Sequence, residues 1–132
     1  MKVSLLRQNS IAPRMEVGKP TYTIYSPRNF TIKPKGTIYV YTGVRIDMED
    51  SQVGALLFSN EELMRLKNLH MPLPVTVVDS FADEIVVELK NDSDMPRILR
   101  KKEPIAELMF IQYGMFVDDD GNFLKTIDES ED

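Results

Sequence analysis

The chain has 132 residues, 42% of them apolar, enough for one domain that hides roughly two thirds of its unfolded surface and needs no second. Twenty-one acidic residues against 16 basic ones give a net charge of −5, part of it in Asp118-Asp119-Asp120 and Asp128-Glu129-Ser130-Glu131-Asp132, which disfavours a face for duplex nucleic acid. Cysteine is absent, so disulfides, thiolate catalysis and Cys-type zinc sites are excluded.

The first seven residues, Met1 to Arg7, carry too short an apolar run for a signal peptide, and no stretch approaches the ~20 apolar residues of a membrane span. A soluble cytoplasmic protein with no membrane partner is expected. Short runs rich in β-branched and aromatic residues follow, bounded by proline and glycine. Thr21-Tyr22-Thr23-Ile24-Tyr25 stops at Ser26-Pro27, and Phe30-Thr31-Ile32 stops at the turn Lys33-Pro34-Lys35-Gly36. Thr37-Ile38-Tyr39-Val40-Tyr41 and Val44-Arg45-Ile46-Asp47 flank Thr42-Gly43. Repeated short strands of this kind mark a sandwich or barrel.

One helix interrupts them, expected over residues 60–69. Ser59-Asn60-Glu61-Glu62 has the form of a capping box with Ser59 as N-cap, and Leu63, Leu66 and Leu69 share a helical face. Pro72 stops the helix, since the residue before a proline avoids the α region. A strand over residues 74–78 comes next. Beyond it Ile85, Val87 and Leu89 lie on one side of a strand, with Glu84, Val86 and Glu88 on the other, so that sheet has a single apolar face. Residues 105–111 are mostly apolar on both faces and are expected to be covered on both sides, by neighbouring subunits. Met115-Phe116-Val117 and Phe123-Leu124 flank a Gly-containing turn and read as a hairpin. The turn is not a calcium loop: a glycine at loop position six would put Phe116 first and Ile127 twelfth, where acidic ligands are required. The chain thus divides into a β domain over residues 1–112, a hairpin or arm over 113–127 and an acidic tail, 128–132, expected to be disordered.

Few residues offer chemistry. His70 is the single histidine and reads as a surface or capping residue, and no Gly-rich phosphate loop or nucleophile elbow is present. A metal site is not expected, apart from Mg²⁺ escorted by a nucleotide. Asp79 ends the strand 74–78 before a small Ser80, where its carboxylate can polarise a water as a general base or cap its own turn. Glu88, by itself, reads as a solvated strand residue. Arg97 with Arg100-Lys101-Lys102 forms the one basic cluster, suited to a triphosphate, an acidic partner or simple solvation.

The order of segments resembles the dUTPase superfamily, which comprises trimeric dUTP diphosphatases and dCTP deaminases, over roughly residues 10–112. Ile11-Ala12-Pro13-Arg14 is similar to its Leu-Pro-x-Arg strand, residues 30–36 to its Ile-x-Pro-x-Gly turn, and Tyr41-Thr42-Gly43-Val44 to its Pro-Thr-Gly-Ile. Val77-Val78-Asp79 resembles the Gly-Val-Ile-Asp of the third motif, Val86-Val87-Glu88-Leu89-Lys90-Asn91 the Val-x-Leu-x-Asn strand, and Ile105-Ala106-Glu107-Leu108 the Ile-Ala-Gln-Leu of the fourth. The resemblance implies a mainly β jelly-roll, or distorted β-barrel, with one short helix, assembled as a homotrimer with sites between subunits. By the same resemblance Asp79 would activate water for attack on the α-phosphate, Glu88 would match the proton-shuttling Glu of the deaminases with Arg65 near their arginine, and Phe81, Ser59, Asn60 and Glu107 would face a deoxynucleotide.

Departures fall on the chemistry. The Ala-Gly-Tyr-Asp-Leu motif looks like Pro20-Thr21-Tyr22-Thr23-Ile24, so Thr23 replaces its carboxylate. Pro-Arg-Ser-Ser corresponds to Phe58-Ser59-Asn60-Glu61, which sets a carboxylate near phosphate oxygens. Tyr-Arg-Gly is reduced to Phe81-Ala82-Asp83, shortening the hairpin that reads the base; Glu103-Pro104 stands where Asp-Arg is usual, and no Gly-rich, Arg-bearing fifth motif follows Gly114. Losing one preorganised charge-stabilising donor costs about 10²- to 10³-fold in rate. The expectation is therefore a catalytically degenerate family member, of the kind viruses and phages encode, acting as a regulatory or protein-interaction module with no cofactor of its own. Its rivals are an active diphosphatase or deaminase using Asp79 or Glu88, with Mg²⁺ brought by the nucleotide, and a nucleotide-sequestering protein without turnover.

Overall fold

The alternating runs become twelve strands and one helix in a computed structural model that describes residues 2–48, 53–78, 83–112 and 117–124. In chain order they are β1 (Lys2–Leu5), β2 (Arg14–Met15), β3 (Tyr22–Tyr25), β4 (Phe30–Ile32), β5 (Thr37–Tyr41), β6 (Val44–Asp47), β7 (Val53–Ser59), α1 (Glu61–Lys67), β8 (Leu69–His70), β9 (Val75–Val78), β10 (Val86–Asn91), β11 (Arg97–Leu99) and β12 (Pro104–Gln112). All named pairings are antiparallel. A five-stranded sheet runs β2-β3-β12-β7-β9, a three-stranded sheet β5-β10-β8, and two ribbons pair β1 with β6 and β4 with β11. The chain is a mainly β jelly-roll with one short helix. Although β9 and β10 are consecutive, they do not pair, because β9 joins β7 while β10 joins β5 and β8.

The inward face of each strand supplies the core. Val87 and Leu89 of β10 are wholly buried while Val86 and Glu88 on the other face are half-buried, as the alternation requires. Each such side chain contributes about 1.5–3 kcal/mol of burial. In β12 burial within the single chain is uneven. Ile105 and Ala106 are both fully buried because the register with β3 shifts between Pro104 and Ala106, a bulge that turns two successive residues inward. Beyond it only Leu108 is fully buried, and Glu107, Met109 and Ile111 remain partly exposed in this chain.

Two turns show why their residues are there. Gly43 has φ +70° and a Cβ at this position would collide with Ser10 Oγ, so the Thr42-Gly43 turn needs glycine for conformation and space. Asn91, fully buried at the end of β10, organises the next turn: its Nδ2 donates to the carbonyls of Ile32, Lys33 and Met95, and its Oδ1 accepts from Ser93 N and Oγ.

The helix differs from the sequence expectation at both ends. Asn60, not Ser59, is the N-cap, its Oδ1 accepting from Leu63 N at 2.9 Å; Ser59 is still extended as the last residue of β7, and its Oγ accepts from Met71 N at 2.8 Å. The C-terminus falls at Asn68, which takes the left-handed conformation at φ 54°. Leu69 is consequently buried from strand β8, and Leu66 is 63% exposed, so only Leu63 carries the helix's apolar contact. In the distal segment Val117 bridges Phe123, and Asp118 Oδ1 accepts from Asp120 N and Asn122 N across Gly121 at φ +85°. The tail 128–132 lies outside the described residues.

Candidate functional site

Where β7 hands over to α1, the end of the five-stranded sheet opens into a cleft of about 350 Å³ lined by Ser59, Asn60 and Glu107, together with Lys19, Thr21 and Arg65. Its centre is the carboxylate of Glu107. This residue sits on β12 opposite Thr23 of β3 and Phe58 of β7, so cross-strand register fixes its neighbours. Oε1 accepts from Thr21 Oγ1 at 2.9 Å and Thr23 Oγ1 at 3.0 Å, and Oε2 accepts from Asn60 Nδ2 at 2.7 Å. Asn60 thereby does two things at once, capping the helix with its oxygen and holding Glu107 with its nitrogen.

Three carboxylates, Glu61, Glu62 and Glu107, face this cleft against two cations, Lys19 and Arg65. Glu61 and Glu62 occupy the first turn of α1, where they complement the helix N-terminus and leave little of its positive end for an anion. Lys19 is raised above its ordinary value chiefly by its hydrogen-bonded partner Glu16 at 3.1 Å, with smaller contributions from Glu107 and Glu62 across the cleft. A phosphate oxygen about 4 Å from one of the carboxylates meets a repulsion of roughly 4 kcal/mol at an effective dielectric near 20. A divalent cation does not fit either. Both Glu107 oxygens are occupied by neutral donors, and among the described residues no group of three His, Cys, Asp or Glu side chains converges on a metal position.

Glu88 lies elsewhere. The splay between β9 and β10 leaves a second cavity of about 260 Å³, walled by Met71, Leu73, Thr76 and Val86, with Tyr39 and Glu88 at its polar end. The hydroxyl of Tyr39 approaches Glu88 Oε2 at 3.5 Å, the outer limit of a hydrogen bond, and no cation pairs with Glu88 among the described residues. Asp79 and Phe81 lie outside the described residues. The structure therefore gathers Ser59, Asn60, Glu107 and Arg65 in one cleft and sets Glu88 in another. His70 Nε2 lies 3.2 Å from Asp92 Oδ2 on β8, a surface contact. The sequence reading did not single out Thr21 as a Glu107 partner; its signal was the i, i+2 spacing with Thr23, which puts both hydroxyls on one face of the strand.

Among the described residues no helix is long and apolar enough to cross a membrane. In curated proteins the chain is 28% identical over 85 residues to the deoxyuridine 5'-triphosphate nucleotidohydrolase of two Desulfitobacterium hafniense strains, covering 64% of this chain and 56% of theirs. It thus spans little more than half the length of these relatives. Among solved structures, the dUTPase of Streptococcus mutans superposes with a TM-score of 0.77 at 19% identity, covering 89% of this chain and 100% of that one. A mutant of the phage 80alpha dUTPase gives 0.77 at 18% identity over 99% and 97%, and the dUTPase of Staphylococcus aureus phage phi11 gives 0.74 at 16% over 98% and 97%. The dUTPase family profile matches residues 8–131, nearly the whole length, and the chain therefore belongs to the dUTPase family.

Proposed function

We propose that this protein is a dUTPase-family member that has given up efficient triphosphate cleavage and acts as a regulatory or protein-interaction module, viral or phage-encoded and homotrimeric. The observation that carries the reading is the Glu107 cleft. Its central carboxylate is fixed by Thr21, Thr23 and Asn60, and Glu61 and Glu62 stand at the same opening. That arrangement repels a triphosphate where the family resemblance expects one to be gripped. The phage 80alpha relative is described as a dUTPase with SaPI-inducing capacity, and as one that controls transfer of virulence genes. A regulatory use of the fold in that protein supports the same reading here.

The test is pyrophosphate release from dUTP with Mg²⁺ at high protein concentration, alongside an absorbance assay for dCTP deamination. No turnover above background is expected from either, and Asp79→Asn should leave every measured property unchanged. Brisk turnover abolished by Asp79→Asn refutes the degenerate reading in favour of the diphosphatase. Deamination lost in Glu88→Gln refutes it in favour of the deaminase. Calorimetry with dUTP, dUMP and dCTP separates a ligand sink, which binds tightly without turnover, from a protein binder. Mass in solution tests the trimer.

A further inference from the structure

We infer that the second cavity, between β9 and β10, receives a single arginine side chain of a protein partner, its guanidinium on Glu88 and its aliphatic stem along the apolar walls. This rests on the reading of the chain as an interaction module and names the chemistry that such a partner presents. Of the seven residues that line the cavity, Glu88 alone is charged. Cross-strand register sets Tyr39 opposite Glu88 and Tyr41 opposite Val86 on the outward face of β5 and β10, while Met71, Leu73 and Thr76 complete the walls. Met71 is buried, whereas Leu73, Tyr39 and the adjacent Tyr41 are exposed.

What singles out Glu88 is burial without a partner. Four carboxylates among the described residues are half-buried, namely Glu84, Glu88, Glu103 and Glu107. Arg7 pairs with Glu84, Lys67 pairs with Glu103, and the neutral donors Thr21, Thr23 and Asn60 hold Glu107. Glu88 has only the Tyr39 hydroxyl, at the outer limit of 3.5 Å. Other carboxylates without a cation, such as Glu61, Glu62 and Asp83, are exposed and solvated. Lys90, two residues on and on the same face of β10, is turned away, its Nζ 3.7 Å from Asp92 Oδ1. A half-buried charge short of hydrogen bonds is costly, and a cation entering from outside relieves that cost.

Shape and wall chemistry choose arginine. A carboxylate accepts two parallel N–H donors from a guanidinium, and the Tyr39 ring beside it offers a face to the same planar group. The walls of Met71, Leu73 and Val86 suit a methylene stem, whereas the compact ammonium of lysine is more strongly hydrated and loses more water on entry. The volume of about 260 Å³ lies below the roughly 300–1,000 Å³ of sites that enclose a drug-sized ligand, so it suits one side chain. Exposed Tyr39, Tyr41 and Leu73 would then ring the ion pair and exclude water from it, as apolar and aromatic residues do at the energetic centre of protein interfaces.

The experiment is an amide NMR titration of the full chain with the capped tripeptide Leu-Arg-Leu, and with the same tripeptide carrying lysine or citrulline at its centre. Citrulline keeps the shape of arginine and removes its charge. The tripeptide supplies only the anchor, so saturable shifts at the amides of Tyr39, Thr76, Val86 and Glu88 are expected at roughly millimolar peptide. Citrulline should bind at least tenfold more weakly, and lysine should fall between the two. Glu88→Gln should erase the preference for arginine over citrulline while its spectrum elsewhere matches the parent. Glu61→Gln with Glu62→Gln removes more charge outside the cavity and should leave arginine binding intact. The inference is overturned if no saturable shift appears at these amides, if citrulline or lysine serves as well as arginine, or if the Glu61 and Glu62 changes weaken binding as much as Glu88→Gln. Displacement of the arginine peptide from these amides by dCTP would also overturn it and assign the carboxylate to a nucleobase. Turnover in the nucleotide assays refutes the interaction module itself, whereas no turnover together with no peptide binding leaves that reading standing and removes only this one.

Discussion

Asn60→Ala is the sharpest probe of the cleft, because one side chain closes two structures. Its Oδ1 caps α1 at Leu63 N, and loss of such a cap costs about 1 kcal/mol. Its Nδ2 donates to the Glu107 carboxylate at 2.7 Å, and a hydrogen bond to a charged acceptor contributes about 1.5–3 kcal/mol. Glu107 keeps Thr21 and Thr23, and water reaches a partly exposed cleft, so the lower end applies to the second term. The expected destabilisation is about 2–3 kcal/mol, or a Tm lowered by roughly 8–12 °C for a chain of this size. Asn60→Ser separates the two roles: it retains a capping oxygen and lacks the amide donor, so about 1–1.5 kcal/mol should be lost. Urea denaturation of the three proteins at one fixed concentration measures this, since assembly shifts apparent stability. An Asn60→Ala protein within 0.5 kcal/mol of the parent, or a Ser variant as unstable as the Ala variant, would refute the double role.

Two further predictions concern the frame. Glu84 is held below its ordinary value of 4.5 chiefly by its hydrogen bond from Arg7, helped by the Gly43 N–H and opposed by burial. A carboxylate with a depressed folded value contributes stability above its unfolded value that is lost as pH falls through the folded one. Tm of the parent should therefore fall more steeply below pH 4.5 than that of Glu84→Gln, and parallel curves would count against the latch. Asn91→Leu removes five side-chain hydrogen bonds from a fully buried turn, although the Lys33 carbonyl keeps the Gly36 N–H and the Met95 carbonyl keeps Ser93 Oγ. A loss of about 3 kcal/mol or more is expected from equilibrium unfolding, and a loss below 1 kcal/mol would mean that water replaces the amide at little cost.

The strands were legible because period-two alternation survives in β5 and β10, and turn chemistry at residues 33–36 and 42–43 bounds them. Helix boundaries were less legible. Ser59 and Asn60 are both good caps on paper, and the choice was made by β7, whose pairing with β12 carries through Ser59 and leaves Asn60 to begin the turn. Leu66 obeys the helical spacing but stays 63% exposed, and Leu69 leaves the helical face because a left-handed Asn68 diverts the chain into β8. In the site, Ser59, Asn60 and Glu107 were found through motif order alone. Their mutual geometry depends on the β3-β12-β7 register, which joins residues 86 and 47 positions apart in sequence and leaves no local pattern.

That register sets two of the sequence departures side by side. The first motif resembles Ala-Gly-Tyr-Asp-Leu with Thr23 in place of its carboxylate, and the fourth resembles Ile-Ala-Gln-Leu with Glu107 in place of its amide. Thr23 and Glu107 are directly opposed across β3 and β12, and the hydroxyl of one donates to the carboxylate of the other. Relative to those motifs the negative charge stands on β12 instead of β3, and the pair is a single carboxylate with a neutral donor. If the two changes compensate, they must fail singly and succeed together. Thr23→Asp alone sets a second carboxylate about 3–4 Å from Glu107 at a site where Thr23 is 6% exposed. The repulsion is roughly 4–5 kcal/mol before relaxation, so about 2–3 kcal/mol should be measured. Glu107→Gln alone replaces an all-acceptor carboxylate by an amide whose N–H₂ faces donors, at about 1–2 kcal/mol. Thr23→Asp with Glu107→Gln returns the carboxylate to β3 and lets the amide donate to it, which should bring stability within about 1 kcal/mol of the parent. The double-mutant cycle then shows a coupling of about 2 kcal/mol or more, whereas additive losses would mean the two positions changed independently. Calorimetry of the double variant with dUTP extends the argument from stability to function. Tighter dUTP binding by the double variant than by the parent would tie nucleotide affinity to the position of this charge, and equal affinity would point instead to Glu61 and Glu62 at the helix start.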